Sequence, residues 1–348
     1  MPSLLRPLSG SPEQVRRALA TWWADPDGPV VVRTSGSTGA PKQVVLSCAA
    51  LRASATATQA RLGGPGQWLL ALPVTSVGGL QVLVRSLLAG TAPVDAARHA
   101  SFADAVDQLG AERAYVSLVP TQLHRLAQAG ELDLLRRFDA VLVGGAALDP
   151  DLAGRCADAG VPVVRTYGMS ETCGGCVYDG RPLDGVAVRL AVDGRIHLAG
   201  PVLFDGYAGD DAAIADVLCD GWFATSDVGA IDADGRLEVL GRIDDIVVSG
   251  GVNVALPAVT GALLRLPGVR DAAAVGVPDD EWGTRVVACI VDGSVGLGRV
   301  RDHVSTSLPR TWAPRQVVHL DAIPLLPGGK PDRLALARLA ASAHADRS

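Results

Sequence analysis

Lysine is almost missing from these 348 residues. The chain carries 31 lysines and arginines together, and only Lys42 and Lys330 are lysine, the remaining 29 being arginine. Each of the two sits beside glycine and proline, in Gly39-Ala40-Pro41-Lys42 and in Pro327-Gly328-Gly329-Lys330. An ammonium is a compact point charge that a guanidinium replaces badly. Two lysines kept where arginine is the default cation therefore point to chemistry rather than solvation. No basic run is present, and a net charge of −6 with an isoelectric point near 5.5 argues against a nucleic-acid surface. No apolar stretch approaches the ~20 residues of a membrane span. Met1-Pro2-Ser3-Leu4-Leu5-Arg6 lacks the charged-then-apolar layout of a secretory leader, so the cytoplasm is the expected compartment. Cys48, Cys156, Cys173, Cys176, Cys219 and Cys289 form no framework, and Cys173-Gly174-Gly175-Cys176 is the one CxxC. Lacking a second pair or a nearby histidine, it makes a poor zinc site, and reduced thiols are expected.

What is present is a well-cored globular composition, 48% apolar, long enough for two domains. The most distinctive stretch is Val31-Val32-Arg33-Thr34-Ser35-Gly36-Ser37-Thr38-Gly39-Ala40-Pro41-Lys42-Gln43-Val44-Val45. Gly36 and Gly39 let the backbone turn tightly and approach a ligand. Successive N–H groups and three hydroxyls can then donate to phosphate oxygens, with Lys42 as a mobile charge. A Walker A loop needs Gly-Lys-Ser/Thr opening a helix, whereas Lys42 is followed by Gln-Val-Val-Leu, which favours a strand. A polar surface hairpin is the bland alternative.

Along the chain, Ser11 caps a helix to Trp23, Val30–Arg33 is a strand, and Ser47 caps a helix running to about Leu62. Strands are expected at Gln67–Leu72, Ala114–Ser117, Asp139–Val143 and Val161–Thr166. Helices follow at Leu80–Ala89 (after Gly78-Gly79), Thr121–Ala129 and Pro150–Ala159. This alternation predicts an α/β fold whose large N-terminal domain holds a mostly parallel, helix-covered sheet. After residue 185, short strands and the turns Asp193-Gly194 and Asp234-Gly235 predict an antiparallel β subdomain. From about Asp244 a small C-terminal α+β domain is expected. The division is 1–242 and 243–348.

Ligands of open α/β sheets bind at the carboxyl ends of the strands. Gly144, Gly145 and Ala146 follow one such end and offer a flat surface to a purine. Tyr167-Gly168-Met169-Ser170-Glu171-Thr172 follows another: Tyr167 could stack on a base, Ser170 bond a phosphate and Glu171 bind Mg²⁺. Asp227, ahead of a strand, could accept two ribose hydroxyls, or merely cap a turn. Arg242 could reach the same ribose or a phosphate, or solvate a domain junction.

Together these segments resemble the adenylate-forming superfamily of acyl-CoA ligases, adenylation domains and luciferases, over nearly the whole chain and in the family's order. Thr34–Lys42 resembles its phosphate loop, Tyr167–Thr172 its Tyr-Gly-x-Thr-Glu segment and Thr225–Asp227 its Thr-Gly-Asp. Gly241-Arg242-x-Asp244 resembles its hinge and Gly329-Lys330 its C-terminal Gly-Lys. Ser117–Leu123 is similar to a segment of the o-succinylbenzoate–CoA ligases of menaquinone synthesis. The departures are Ser226 for glycine, Ser170 for threonine and Gln43 for a frequent glycine. Leu72–Gly79 lacks the histidine often found near Thr75 or Ser76, and Pro257–Thr260 lacks a usual glutamate. Against the family's usual large domain, roughly the first hundred or more residues are expected to be missing.

The resemblance implies a mobile C-terminal domain and a two-step ligase using ATP, Mg²⁺ and coenzyme A. In the first step Lys330, Glu171, Ser170 and Arg242 would serve an acyl adenylate, with Thr34, Ser35, Gly36, Ser37, Thr38, Gly39, Lys42, Gly144, Gly145, Ala146, Tyr167, Gly168, Met169 and Asp227 on the nucleotide. Glu171 would be the metal ligand and Asp244 the hinge, while Ser249, Gly250 and Gly251 would serve the CoA step. Ser76, Gly78, Arg85 and Thr121 would face the acid, Arg85 meeting the unreacted carboxylate unless it is an exposed helix arginine. Rival readings are another aryl- or short-chain acyl-CoA ligase, an adenylation module serving a carrier protein, and a degenerate adenylate-binding protein. The expected partners are a small carboxylic acid, ATP and CoA, with no nucleic acid and no membrane span, and a homodimer left open as the assembly. Lys330→Ala should abolish acid-dependent pyrophosphate release while ATP binding, measured by calorimetry, stays close to wild type. Undiminished release from that variant would remove Lys330 from the first step.

Overall fold

The computed structural model describes residues 9–34, 42–292, 295–325 and 331–345. Contacts among them divide the chain into two compact units. The first takes in Met1–Arg189, His197–Thr225 and Ile231–Leu237, and the second Leu190–Ile196, Ser226–Ala230 and Glu238–Ser348. The sequence puts its main boundary at 242/243; the contacts put theirs between Leu237 and Glu238.

The first unit is built on a seven-stranded sheet. Its order is Val94–Asp95, Gln67–Leu70, Ala114–Leu118, Ala140–Val143, Val163–Met169, Gly174–Tyr178 and Arg181–Pro182. The first five strands are parallel and the last two are added antiparallel. Alternate residues of each strand enter opposite cores, as the two-residue period of a strand requires. Trp68, Leu70, Tyr115 and Leu142 pack on one face, and Leu69, Val116, Val141 and Val143 on the other. The α/β expectation therefore holds, with helices Cys48–Arg61 and Val77–Ala89 against one core and Pro120–Ala129 and Pro150–Asp158 against the other.

Helix starts follow their caps. Ser11 accepts from Gln14 N and Gln14 answers to Ser11 N, closing a capping box at Pro12–Ala24. Asp149 accepts from both Asp151 N and Leu152 N. One start differs from expectation. Ser76 accepts from Gly79 N at 3.2 Å and donates to Pro73 O at 2.7 Å, so the helix begins at Val77 and takes Gly78-Gly79 inside it. A separate sheet of the first unit pairs Val30–Arg33 with Gln43–Leu46 and that strand with Gly206–Tyr207, all antiparallel.

A further sheet is ordered Ala187–Leu190, Arg195–Ala199, Trp222–Ile231 and Leu218–Cys219, the last pair antiparallel, with Leu237–Arg242 also on Trp222–Ile231. Where only short strands are expected, Trp222–Ile231 is ten residues long. In the second unit, Ile246–Ser249 and Val252–Ala255 form a hairpin. Val269–Asp279 and Gly283–Asp292 pair antiparallel, and Gln316–His319 adds parallel to the latter. Helices Leu256–Leu264, Leu297–Val304 and Arg333–Ala345 cover them.

Two helical glycines should respond oppositely to alanine. A Cβ at Gly79 would stand 2.2 Å from Pro73 O, whereas one at Gly154, in Pro150–Asp158, meets nothing within 4 Å. Gly154→Ala is expected to stabilise by about 0.5–1 kcal/mol from helix propensity. Gly79→Ala should destabilise by about 1 kcal/mol or more despite the same gain, because backbone must move. Urea unfolding of both variants checks the sign.

Candidate active site

Thr34 and Lys42 close the neck of the Ser/Thr/Gly loop. Thr34 N donates to Lys42 O at 2.9 Å, and Lys42 N to Thr34 Oγ1 at 3.3 Å. Ser35, Gly36, Ser37, Thr38 and Gly39 lie outside the described residues, as does Lys330. Past the neck, Val44 pairs directly with Tyr207. Opposed residues share a face, and Lys42 stands two before Val44, so the register sets it diagonal to Tyr207. Its Nζ lies 4.6 Å from the Tyr207 ring centroid.

The phenol reaches a second site residue. Tyr207 Oη donates to Glu171 Oε1 at 3.0 Å, and Phe204 N donates to Glu171 O at 2.9 Å. Burial, with the Glu171 charge beside it, pushes the Tyr207 hydroxyl well above the usual phenol range, so it stays a donor. The ring is nearly closed from solvent and packs on Phe204, centroids 5.0 Å apart. Lys42, Tyr207 and Glu171 thus form one contiguous set. Sequence reasoning passed over Tyr207; its one signal is that the chain has only four tyrosines.

Glu171 is carried by a 3₁₀ turn, Ser170–Thr172, that ends Val163–Met169. Thr172 Oγ1 ties the turn, accepting from Met169 N at 2.9 Å and donating to Gly174 O at 2.7 Å. Tyr167, Gly168 and Met169 belong to the strand itself, which runs three residues beyond its expected end at Thr166. A Cβ on Gly168 would sit 2.1 Å from Gly174 O, so only glycine lets these backbones meet. On the neighbouring strand end, Gly144 is held to Leu118 O through its N–H, and a Cβ there would fall 2.3 Å from Thr166 Oγ1. Gly145 and Ala146 are exposed beside it. Ser170 and Glu171 are half-buried. Among the described residues no group of three or more His, Cys, Asp or Glu forms a metal cage. A lone carboxylate whose second oxygen has no hydrogen-bond partner among the described residues suits Mg²⁺, which takes one or two carboxylates and completes its shell with phosphates and water.

The residues expected to face an acid behave differently from one another. The Ser76 hydroxyl is used in its cap, Gly78 lies in the first turn of the helix, and Thr121 is exposed in Pro120–Ala129. A cavity of 780 Å³ at the ends of Gln67–Leu70 and Ala114–Leu118 is lined by Leu72, Pro73, Leu118 and Gln122 rather than by Thr121. Arg85 is no exposed helix arginine: it is 3% exposed. Its guanidinium lies 4.9 Å from the Trp68 ring centroid and 3.4 Å from Tyr178 Oη, which is 3.0 Å from Thr58 Oγ1. Arg85 Nε, Trp68 Nε1 and both ends of the Gln81 amide are buried with no hydrogen-bond partner among the described residues. Burial lowers the affinity of Arg85 for its proton. Gln81 and Trp68 are further polar groups that sequence reasoning missed.

Asp227 and Arg242 fall in the second unit. Asp227 lies inside Trp222–Ile231 rather than ahead of a strand, because pairing on both sides extends that strand, and Arg242 ends Leu237–Arg242. Asp244 lies in the 3₁₀ turn Ile243–Asp245 that follows. Ser249, Gly250 and Gly251 close the hairpin, both glycines left-handed at φ 59° and 78°. Ser249 is buried, and Gly250 N donates to Trp282 O at 2.9 Å. A side chain at Gly250 would meet the Trp282 ring at 2.7 Å, the same ring over which Arg315 stacks at 3.2 Å.

Cys173 and Cys176 are fully buried and unpaired with each other. Burial pushes the Cys176 thiol up to about 12 and raises Cys173 as well, with Asp205 adding to it. In the native protein at pH 8, Ellman's reagent should therefore titrate exposed Cys219 first and half-buried Cys48 more slowly. Cys156, Cys173, Cys176 and Cys289 should react only after denaturant, and fast modification of Cys173 or Cys176 would contradict this packing.

Comparison with known proteins gives a consistent result. The family model for AMP-binding enzymes matches residues 9–208, and that for the AMP-binding enzyme C-terminal domain matches 259–330. A probable 2-succinylbenzoate–CoA ligase of Mycobacterium tuberculosis is 45% identical over 327 residues, covering 90% of this chain and 85% of its own. The o-succinylbenzoate CoA synthetase of Bacillus subtilis, solved with its acyl-adenylate intermediate, superposes with a TM-score of 0.75 at 27% identity. The match covers 88% of this chain and 68% of that one. The same enzyme with ATP and magnesium gives 0.73 at 26% identity, covering 88% and 69%.

Proposed function

We propose, from the premise that the chain belongs to the AMP-binding enzyme family, that it is an ATP-dependent acid–CoA ligase. Its acid in this reading is o-succinylbenzoate and its product o-succinylbenzoyl-CoA, as its relatives' names suggest. The observation that carries the chemistry is the set Lys42–Tyr207–Glu171. It brings a cation from the phosphate loop and a carboxylate from the strand-end turn to one phenol.

In the first half-reaction a carboxylate oxygen of the acid attacks the α-phosphorus of ATP, and the bond to pyrophosphate breaks, leaving an acyl adenylate. Positioning and charge neutralisation supply the rate. Lys42 and the loop donors from Thr34 onward hold the phosphates, Glu171 holds Mg²⁺, and Gly144, Gly145, Ala146 and Tyr167 receive the adenine. When bound, Mg²⁺ neutralises charge on the departing pyrophosphate. Lys330 bridges the attacking carboxylate and the α-phosphate, and Asp227 and Arg242 take the ribose. In the second half-reaction the CoA thiolate attacks the acyl carbonyl carbon and AMP leaves, a step given to Ser249–Gly251. Residues 1–242 bind acid and ATP, and 243–348 act as the lid with its hinge at Asp244. The reaction draws on ATP and CoA, and the reading keeps the protein with them in the cytoplasm.

The acid carries a second carboxylate. Arg85 suits it: among the described residues its buried guanidinium meets Tyr178 and no carboxylate, and such a charge is costly until an anion arrives. A carrier-protein adenylation module would leave free CoA untouched, and a degenerate binder would release no pyrophosphate.

Pyrophosphate release with ATP and Mg²⁺ across a panel of carboxylic acids tests this reading. Release with o-succinylbenzoate alone, AMP as the nucleotide product, and a thioester once CoA is added are expected. Release only with other acids would discard the substrate, and ADP as the product would discard the class.

A further inference from the structure

The phosphate-loop lysine and the acidic turn residue carry opposite charges and both face Tyr207. A direct ammonium–carboxylate pair would spend both before any ligand arrives. The geometry points to a different arrangement, in which Tyr207 is a positioning residue that holds Lys42 and Glu171 close together while preventing them from pairing. The inference rests on the proposed roles of Lys42 with phosphate and Glu171 with Mg²⁺.

Three observations support it. The phenol divides its two chemistries between its neighbours: the π face carries Lys42 Nζ at 4.6 Å, and the hydroxyl donates to Glu171 Oε1 at 3.0 Å. The two contacts also differ in strength. A cation over a ring at an exposed site is held weakly, so phosphate oxygens can take the ammonium away. A hydrogen bond to a charged carboxylate is held more firmly, so Glu171 keeps its orientation and presents its second oxygen. Finally, the phenol itself cannot drift. Tyr207 is paired to Val44, its ring is 6% exposed against Phe204, and Phe204 N holds the Glu171 backbone. Strand pairing therefore fixes the spacer relative to the loop, and the Phe204 hydrogen bond fixes it relative to the turn.

The scarcity of lysine makes the contact directly observable. Protein grown with lysine labelled at ¹³Cε gives two side-chain signals, and Lys330→Arg identifies which is Lys42. In the wild type the Lys42 Hε protons should be shifted upfield by the ring current, and ATP added without Mg²⁺ should return them toward the free-lysine position. Tyr207→Phe keeps the ring, so the upfield shift should persist. Without the hydroxyl on Glu171, the Mg²⁺ concentration giving half-maximal pyrophosphate release should rise about tenfold. The calorimetric affinity for ATP without Mg²⁺ should stay within about twofold in that variant. Tyr207→Leu removes the spacer altogether; the upfield shift should vanish and ATP should bind about tenfold more weakly as Lys42 turns to Glu171. A Lys42 signal at the free-lysine position in the wild type, or unchanged Mg²⁺ dependence in Tyr207→Phe, overturns the inference, and neither requires the leucine variant to fold. Failure of the wild type to bind ATP, with the upfield shift intact, would instead overturn the proposed function.

Discussion

Antiparallel pairing of Gln43–Leu46 with two partners is the constraint on which the candidate site depends. On one edge Val30–Arg33 closes the neck of the loop at Thr34 and Lys42. On the other, Gly206–Tyr207 brings an aromatic ring to the same face as Lys42. Side chains alternate across a strand, so a one-residue slip on either edge would turn the lysine or the phenol to the wrong side. The buried Val30, Val32, Val44 and Leu46 resist such a slip, since it would move them out of the core they share with Phe204 and Phe223. Hydrophobic register is thereby converted into the position of a charge.

Among the described residues, charges stand without an opposite charge as direct partner in more than one place. Lys42 and Glu171 meet a phenol, and Arg85 is enclosed by Trp68 and Tyr178 with Gln81 one helical turn away. Burial without compensation normally disfavours a charged group. Proteins tolerate that local cost at sites where a ligand later supplies the missing partner. The left-handed hairpin at Gly250-Gly251 shows similar local constraint, with Trp282 against one of its glycines.

Much of this was legible in the chain. The Ser11, Ser47 and Asp149 caps and the β-α alternation are local signals, and the structure follows them. What escaped depends on partners distant in sequence. Tyr207 matters because of a strand more than a hundred residues earlier, which no local pattern around Gly206 reveals. Arg85 is buried because its helix packs against two other helices and three strands of the main sheet, so an arginine read from its own helix alone looks solvated. Asp227 joined a strand because pairing on both sides lengthened it, and Gly78-Gly79 entered a helix because Ser76 outcompeted them as its start. Local chemistry located the loops; non-local pairing decided which side chains meet there.

The lysine poverty noted first has a consequence for handling the molecule. Amine-coupling reagents normally attach proteins to a bead or sensor surface at random, through many interchangeable lysines. Here the side-chain amines are those of Lys330 and Lys42 alone, and Lys42 is exposed on a ring that also holds Glu171. Immobilisation through lysine would thus fall on two positions, one of them at the neck of the loop, whereas coupling through exposed Cys219 would leave the loop and its lysine untouched.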